Sequence, residues 1–412
     1  MTPTLNRLLL AAMTLYATTV DADDSTMPTF SLSSFGTLGI VHSSEKKADF
    51  TSSIYKPNGA GHTRDWNADV DSLIGAQVTA NFTPQLSAVV QVISEQNYDN
   101  SYRPTLEWAN FKYQFTPDFS MRLGRTVQPA FLLSDSRRVG YTLPWVRPPG
   151  EIYSLIPVTS TDGMDFSYRL HFGDLTNTVQ GNVGQGDFRM PNSGGRTLAR
   201  DSWGISNLTE YGALTTRVTY QKTHLTVESF NPLFDSYRRF GDEGNVIADR
   251  YDVKGKPFDF VGVGAVYDPG SWFVMGEWGH FDSHSVIGAM SAWYISSGYR
   301  VDAFTPYVTY ARSKTLSETS SAGLTTSTLS PALAGAAAGL NGALNGILAA
   351  SSGQQTLSLG VRWDFTKNMD AKLQYDHTRL DKGATGPLTN FQQDYEPGGT
   401  FSLLSLAIDF VF

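Results

Sequence analysis

The most constraining feature of this sequence is a repeated alternation of apolar and polar residues, in segments of about ten residues each. Segments 74–82 and 357–365 show it most clearly, since every second residue is apolar and the intervening positions carry Gly, Gln, Thr, Asn, Ser, Arg or Asp. Successive side chains of a β-strand point to opposite faces, so each such segment predicts a strand with one apolar and one polar face. The chain is therefore expected to be all-β.

The connectors between these segments alternate between very short and long. Seven short turns are predicted at residues 83–85, 116–118, 172–174, 209–212, 268–270, 301–303 and 366–368, where Pro, Gly, Asn and Asp favour tight turns. Eight long loops are predicted at residues 44–65, 96–103, 126–161, 184–201, 222–257, 282–289, 313–355 and 379–398. Seven turns between paired strands, together with the two chain ends, predict sixteen strands.

Alternation alone fits either a soluble sandwich or a barrel in a membrane. Two further features favour the membrane. Charged residues are frequent on the polar parity, which a water-filled lumen accepts and a packed core does not. Aromatic residues cluster where strands meet turns, as in the girdles of membrane barrels: Phe82, Phe115, Phe119, Tyr267, Trp272, Tyr299, Phe304, Trp363 and Phe365. We predict a transmembrane antiparallel up-and-down β-barrel.

The chain ends support the same prediction. Residues 1–22 read as a signal peptide, with Arg7 before an apolar stretch and a small residue, Ala22, at the expected cleavage point. Residues 23–412 would then form one barrel domain. Apolar residues of the last segment share one parity, ending in Phe410 and Phe412, as expected of a strand that closes a barrel in lipid.

Composition excludes several other classes of function. The chain has no cysteine, which rules out disulfides and thiolate metal sites, and its net charge of −8 argues against nucleic acid as a partner. No phosphate loop, dinucleotide fingerprint or nucleophile–base pair is legible, so no enzyme and no cofactor are predicted. His280, Asp282 and His284 lie close together, but a solvated loop explains them better than a metal site.

The sequence resembles the Gram-negative porin family over essentially the whole mature chain. The resemblance rests on the opening strand Phe35-Gly36-Thr37-Leu38-Gly39, on Leu123-Gly124-Arg125 before the third loop, on the turns and on the terminal Phe412. It implies an outer-membrane location among lipid and lipopolysaccharide, delivery by the barrel-assembly machinery, a homotrimer, and a third loop that folds into the lumen. The short second loop departs from the family pattern in which that loop latches neighbouring subunits.

The same resemblance implies a constriction in which acids of the third loop face bases of the wall. The loop would supply Asp135 and Glu151, and also the positive charges of Arg137, Arg138 and Arg147. The bases with lumen parity on their strands are Arg122, Arg169, Arg217, Arg362 and Lys372. An equally good interpretation is that these bases pair with inward acids, among them Asp165, Glu277, Asp364 and Asp409, and simply hold the wall together.

The leading prediction for function is a water-filled channel for passive diffusion of small hydrophilic solutes and ions, since sixteen strands leave an aqueous lumen. One alternative is a substrate-selective channel for sugars or organic acids, with Tyr141, Trp145 and Tyr153 as an aromatic contact surface. A secreted β-adhesin and a barrel enzyme are weaker alternatives, because neither explains both the aromatic belts and the terminal Phe.

Overall fold

The computed structural model of the protein describes residues 28–191, 195–350 and 353–412. The predicted signal peptide, residues 1–22, lies outside these residues. Sixteen long strands form one antiparallel barrel, as predicted. They are β1 Thr29–Ser43, β2 Leu73–Asn81, β3 Leu86–Glu95, β4 Thr105–Gln114, β5 Phe119–Val127, β6 Ser160–Phe172, β7 Leu175–Arg189, β8 Arg196–Tyr211, β9 Leu214–Val227, β10 Lys256–Tyr267, β11 Trp272–Ser283, β12 Gly288–Tyr299, β13 Phe304–Thr315, β14 Gln354–Thr366, β15 Met369–Leu380 and β16 Gly399–Val411.

The barrel closes between its first and last strands. One part of β1 pairs with β2 and the other with β16, from Phe35 opposite Val411 to Ser43 opposite Leu403. Beyond the ladder, Ser34 donates its N–H to the carbonyl of Phe412 at 2.7 Å, and Phe412 donates back to Ser34 at 2.8 Å. The terminal residue therefore completes the ring of backbone hydrogen bonds, which leaves this seam without an open edge.

Each of the seven predicted short turns corresponds to a short connection between consecutive strands at one end of the barrel, but the turn predicted at 209–212 lies at 212–213, because β8 continues to Tyr211. Boundaries of the long loops were also wrong. The fourth loop is shorter than predicted, because β7 and β8 continue their pairing past a bulge to Arg189 and Arg196. The first loop is longer than the predicted 44–65, because the second long strand begins at Leu73; Asp69 and Asp71 therefore lie in this loop.

The outer surface carries an apolar belt, as the parity argument predicted. Leu38, Leu123 and Leu359 on widely separated strands are each more than half exposed. Eight of the nine predicted girdle aromatics are exposed large hydrophobics: Phe82, Phe115, Tyr267, Trp272, Tyr299, Phe304, Trp363 and Phe365. Phe119 is half-buried because it stacks between Phe115 and Tyr168.

The inner surface is not solvated all round, which corrects the expectation that its polar parity lines a water-filled lumen on every strand. The inward positions of β10–β13 hold buried apolar side chains, among them Phe260, Met275, Tyr294 and Tyr307. These side chains pack against the third loop, which fills this side of the barrel. Parity showed that they point inward but could not show that they meet a loop instead of water.

Four α-helices lie in the described parts of the long loops. The third loop contains α1, Gly150–Tyr153, and the fifth loop contains α2, Asn231–Arg238, and α3, Gly241–Tyr251. The seventh loop forms α4, Pro331–Ala349, from a segment rich in Ala and Gly. By length and apolar composition α4 is the one described helix that could cross a membrane. Its buried residues Ala337 and Leu344 instead pack on Phe234 and Tyr237 of α2, in a cluster beside the barrel mouth.

Candidate functional site: the third loop and the lumen

The third loop, residues 128–159, enters the barrel as predicted and packs on the inner wall. Its Phe131, Trp145 and Ile152 are almost fully buried in one cluster with the inward side chains of β10–β13. Phe131 meets Phe260 edge-on at 5.4 Å, and Trp145 meets Tyr294 at 5.6 Å between ring centroids. The Trp145 indole N–H also reaches the hydroxyls of Ser296 and Thr309 at 3.0 and 2.8 Å. This apolar packing holds the loop against one side of the lumen.

A buried arginine anchors the middle of the loop. Arg147 donates two hydrogen bonds to the Asp71 carboxylate, at 2.8 and 2.6 Å, and one to Asp376 at 3.1 Å. A further hydrogen bond reaches the Ser405 hydroxyl at 2.7 Å. Burial lowers the pKa of Arg147, but Asp71 and Asp376 outweigh that effect and raise the pKa above its ordinary value. The anchor thus joins the third loop to the first loop and to two strands.

Two wall bases bind the backbone of the loop. Lys372, with a fully buried side chain, donates to the Gly140 carbonyl at 2.7 Å and pairs with Asp409 at 2.8 Å. Arg362 donates to the carbonyls of Tyr141 and Leu143 at 2.6 and 3.1 Å. Gly140 is required at this contact, since a Cβ there would lie 2.0 Å from an Asp409 carboxylate oxygen. The charged wall residues therefore contact the loop backbone directly, because Gly140 places no side chain between the loop and the wall.

Two acids are also buried beside the loop. Glu151 of the loop accepts hydrogen bonds from Gln354, at 2.7 Å, and from Thr356. Burial raises the pKa of Glu151, and these two hydrogen bonds oppose the increase. On the wall, Glu277 accepts from the backbone N–H of Leu132 at 2.7 Å and from the hydroxyl of Tyr153 at 2.5 Å. Neither carboxylate faces an open gap.

The double arginine of the loop turns toward β3. Arg138 forms an ion pair with Glu95, which also pairs with Lys56 of the first loop at 3.3 Å. Arg137 donates to backbone carbonyls of the loop itself, at Ile156 and Val158. Burial, followed by the charge of Arg138, lowers the pKa of Arg137 to about 10. These contacts close the loop on itself and place its basic tip opposite the β3–β4 wall.

A different set of charges faces water. On β4–β6, Lys112 is the register partner of Arg122, and Arg122 pairs with Asp165 at 2.9 Å. Arg169, four residues from Asp165 on the same strand and parity, is exposed. Across the lumen the Asp135 carboxylate of the loop, with 57% of its side chain exposed, lies 4.0 Å from Arg217. We call Lys112, Arg122, Asp165 and Arg169 the basic floor.

Three glycines lie in register above the basic floor. Gly124 of β5 pairs with Gly163 of β6, and Gly163 pairs with Gly184 of β7, all at inward positions. A Cβ at Gly163 would lie 2.0 Å from the Val183 carbonyl oxygen, and Gly124 has a φ of +126°. Because no side chain projects from these three positions, the wall opposite the third loop is bare backbone.

The ten predicted constriction residues thus separate into two groups. Arg137, Arg138, Arg147, Glu151, Arg362 and Lys372 hold the loop together or to the wall, largely by buried contacts. Asp135, Arg122 and Arg169 face the remaining lumen, and buried Arg217 lies between the groups. Sequence reasoning missed Lys112, although it alternates with the outward Phe111 and Tyr113 and so has lumen parity.

Two of the three aromatics proposed to contact solutes are placed elsewhere. Trp145 and Tyr153 are buried between loop and wall, with 1% and 7% of their surfaces exposed, so that expectation was wrong for both. Tyr141 is half-buried, and its hydroxyl donates to the Lys367 carbonyl at 2.7 Å near the short turns. Within residues 28–191, 195–350 and 353–412 no group of three His, Asp or Glu side chains is arranged to hold a metal ion.

Comparison with known proteins shows the fold. No protein-family model and no curated sequence matches the chain. Among solved structures it is similar to an anion-selective porin from Comamonas acidovorans, at 12% identity and a TM-score of 0.53, over 94% of this chain and 100% of that one. The outer membrane channel DcaP of Acinetobacter baumannii gives 11% identity and a TM-score of 0.54, over 93% and 97%. A trimer form of OmpT of Vibrio cholerae gives 9% and 0.52, over 94% and 100%.

The closed sixteen-stranded barrel, its apolar outer belt and its inserted third loop define the class. The protein has a porin-type fold, a closed β-barrel whose apolar outer belt suits a membrane.

Proposed function

We propose that the protein is a passive channel for small hydrophilic solutes and ions, with no catalytic step. The observation that carries the proposal is the division of the barrel interior. The third loop packs on β9–β16, whereas β3–β7 present inward polar residues, bare backbone and water-facing charges. A polar path beside a fixed loop suits diffusion of hydrated solutes, because charged and hydrogen-bonding walls replace part of the water shell.

We further propose that the channel favours anions. Lys112 and Arg169 make no side-chain hydrogen bond or ion pair with any residue of the described ranges, and Arg122 is matched by Asp165. The basic floor therefore carries three positive charges and one negative charge. A narrow aqueous passage with such an excess raises the local concentration of anions and repels cations. Buried Lys372 and Arg362 contribute little to this field because adjacent carboxylates neutralise them.

We also propose that the protein assembles as a homotrimer, since one structural neighbour, OmpT of Vibrio cholerae, has a trimer form. Detergent extraction of the native assembly followed by mass measurement tests this, and a monomeric mass would contradict it.

Single-channel recording of the refolded protein in a planar bilayer tests the channel and its selectivity together. Stepwise ohmic openings are expected, and a salt gradient should give a reversal potential of the sign that anion preference requires. The double variant Lys112→Gln/Arg169→Gln should move that potential toward zero. A matched variant, Arg103→Gln in the exposed second loop, should leave it unchanged. A folded barrel with no conductance would refute the channel, and a cation-selective potential would refute only the anion preference.

A further inference from the structure

A row of unpartnered polar atoms crosses three neighbouring strands on the inner wall. Gln91 of β3 is the register partner of Trp108 of β4. Thr126 of β5 follows Arg125, which pairs with Ala109, so Thr126 continues the same row. The Gln91 carbonyl oxygen, the Trp108 indole N–H and the Thr126 hydroxyl are all buried without a hydrogen-bond partner among the described residues. Gln91 is 4% exposed and Thr126 fully buried.

A β-bulge adds a fourth group to this row. The pairing of β3 with β4 shifts between Gln91 and Val92, so both Glu107 and Trp108 face Gln91. The bulge turns Glu107 inward, where it is 8% exposed and one carboxylate oxygen has no partner in the described part of the chain. Bulges re-aim side chains and are common beside functional sites. Without this bulge Glu107 would follow the outward parity of its strand.

The third loop supplies the opposite side of the row. A terminal guanidinium nitrogen of Arg138 donates a hydrogen bond to Glu95, which lies four residues beyond Gln91 on the same strand. The Nε–H of Arg138 is buried and has no hydrogen-bond partner among the described residues. Glu95 lies two residues beyond Ile93, which is opposite Thr105 of β4, so Arg138 meets the wall close to the bulge. The Arg138 side chain is 24% exposed, so water reaches this side of the row. Buried polar atoms are rarely left without a hydrogen-bond partner. Five such atoms in one small region therefore indicate that a solute binds there and forms hydrogen bonds with them.

The hydrogen-bond donors and acceptors among the five atoms determine which class of solute can bind. Trp108 and Arg138 offer N–H donors, Gln91 and Glu107 offer acceptors, and the Thr126 hydroxyl does either. A carboxylate would satisfy only the donors and be repelled by Glu107, and an ammonium would satisfy only the acceptors. A hydroxyl group both donates and accepts, so several hydroxyls on one small molecule match the whole set. The indole ring adds an apolar face of the kind that packs on the C–H side of a polyol.

We propose that this row is a binding station for small, uncharged, polyhydroxylated solutes of the polyol or monosaccharide class. The station rests on the proposed channel function, because it lies where the third loop narrows the path along β3–β7. It makes the channel substrate-selective through residues other than the aromatic side chains of the loop.

Xylitol tests the station, with triethylene glycol dimethyl ether as a probe of similar size that lacks hydroxyl donors. Salt conductance is recorded first, and each probe is then added while interruptions of the current are counted. Xylitol is expected to interrupt the current in a saturable way, and the ether is not. Saturation-transfer NMR of xylitol with the detergent-solubilised barrel measures binding whether or not the barrel conducts.

Thr126→Val keeps the shape of the side chain, and Trp108→Phe keeps an aromatic ring of smaller size; each variant removes one hydrogen-bonding group. Each is expected to shorten the xylitol residence time about five-fold, the usual effect of losing one hydrogen bond. Trp278→Phe on the exposed outer belt is the matched control and should behave as wild type. Equal effects of xylitol and the ether, or wild-type residence times in both lumen variants, would mean that the row pairs with water only and would overturn the station. A silent barrel that still binds xylitol would refute the channel and leave the station standing.

Discussion

Removal of the Arg147 guanidinium should release the third loop while leaving the barrel folded. Arg147→Met preserves the apolar stem of the side chain but leaves Asp71 and Asp376 unpaired, with side chains only 4% and 6% exposed. Breaking a buried ion pair by removing one partner costs about 3–5 kcal/mol, mostly because a charge is left buried. Since 1.4 kcal/mol corresponds to a factor of ten, the population of detached loop should rise at least about a hundredfold. The strand ladder loses no hydrogen bond.

Trypsin reports this population, because Arg137 and Arg138 are cleavage sites that the attached loop protects. When loop opening is fast relative to cleavage, the cleavage rate follows the open population, so Arg147→Met should be cut at this pair about a hundredfold faster. Adding Asp71→Asn and Asp376→Asn should restore part of the protection by removing the unpaired charges. Arg103→Met, which breaks an exposed pair in the second loop, should have little effect. Cleavage of Arg147→Met at the wild-type rate would refute the anchoring role.

Three further outcomes are expected. Trp145→Ala should cost about 3–5 kcal/mol of packing free energy between the loop and the wall, and so expose the loop to trypsin. The barrel itself should stay heat-resistant on SDS gels. Loss of that heat resistance would contradict a role of Trp145 confined to the loop. Glu151 has a pKa raised by burial above its ordinary 4.5, so the attached loop binds the proton more tightly than the detached one. Attachment of the third loop should therefore be strongest below pH 4.5 and weaken as the pH rises through the raised pKa of Glu151. Faster hydrogen exchange of the loop amides at higher pH would report this weakening. The variant Glu151→Gln should lose the pH dependence. Deleting Phe412 removes its backbone hydrogen bonds to Ser34 and should lower the yield of assembled barrel in the outer membrane, an effect that Phe391→Ala in the eighth loop should not share.

The sequence predicted the barrel well because the two-residue period marked the strands, and the aromatic belts and the charged polar parity distinguished a membrane barrel from a soluble sandwich. Turn residues marked one end of the strands, and the terminal Phe marked the closing seam. Boundaries toward the long loops were less accurate, since β7 and β8 continue their ladder beyond the apolar belt, where no lipid imposes the alternation.

The candidate site was less predictable because parity separates inward from outward but not loop from water. Lys372 and Arg122 have the same lumen parity, yet the first is sealed beneath Gly140 and the second faces the aqueous side. Only the path of the third loop distinguishes them, and that path depends on contacts between residues far apart in the chain. Glu107 was invisible for another reason, since a bulge reverses its parity.

The position of the pore along β3–β7 is tested most directly by cysteine accessibility, because the chain contains no cysteine of its own. Single cysteines would replace Lys112 on the basic floor and Ala292, which is fully buried under the third loop. A water-soluble methanethiosulfonate reagent should reduce the current through Lys112→Cys and leave Ala292→Cys unchanged. Block of Ala292→Cys with no effect on Lys112→Cys would contradict a pore on the β3–β7 side of the loop.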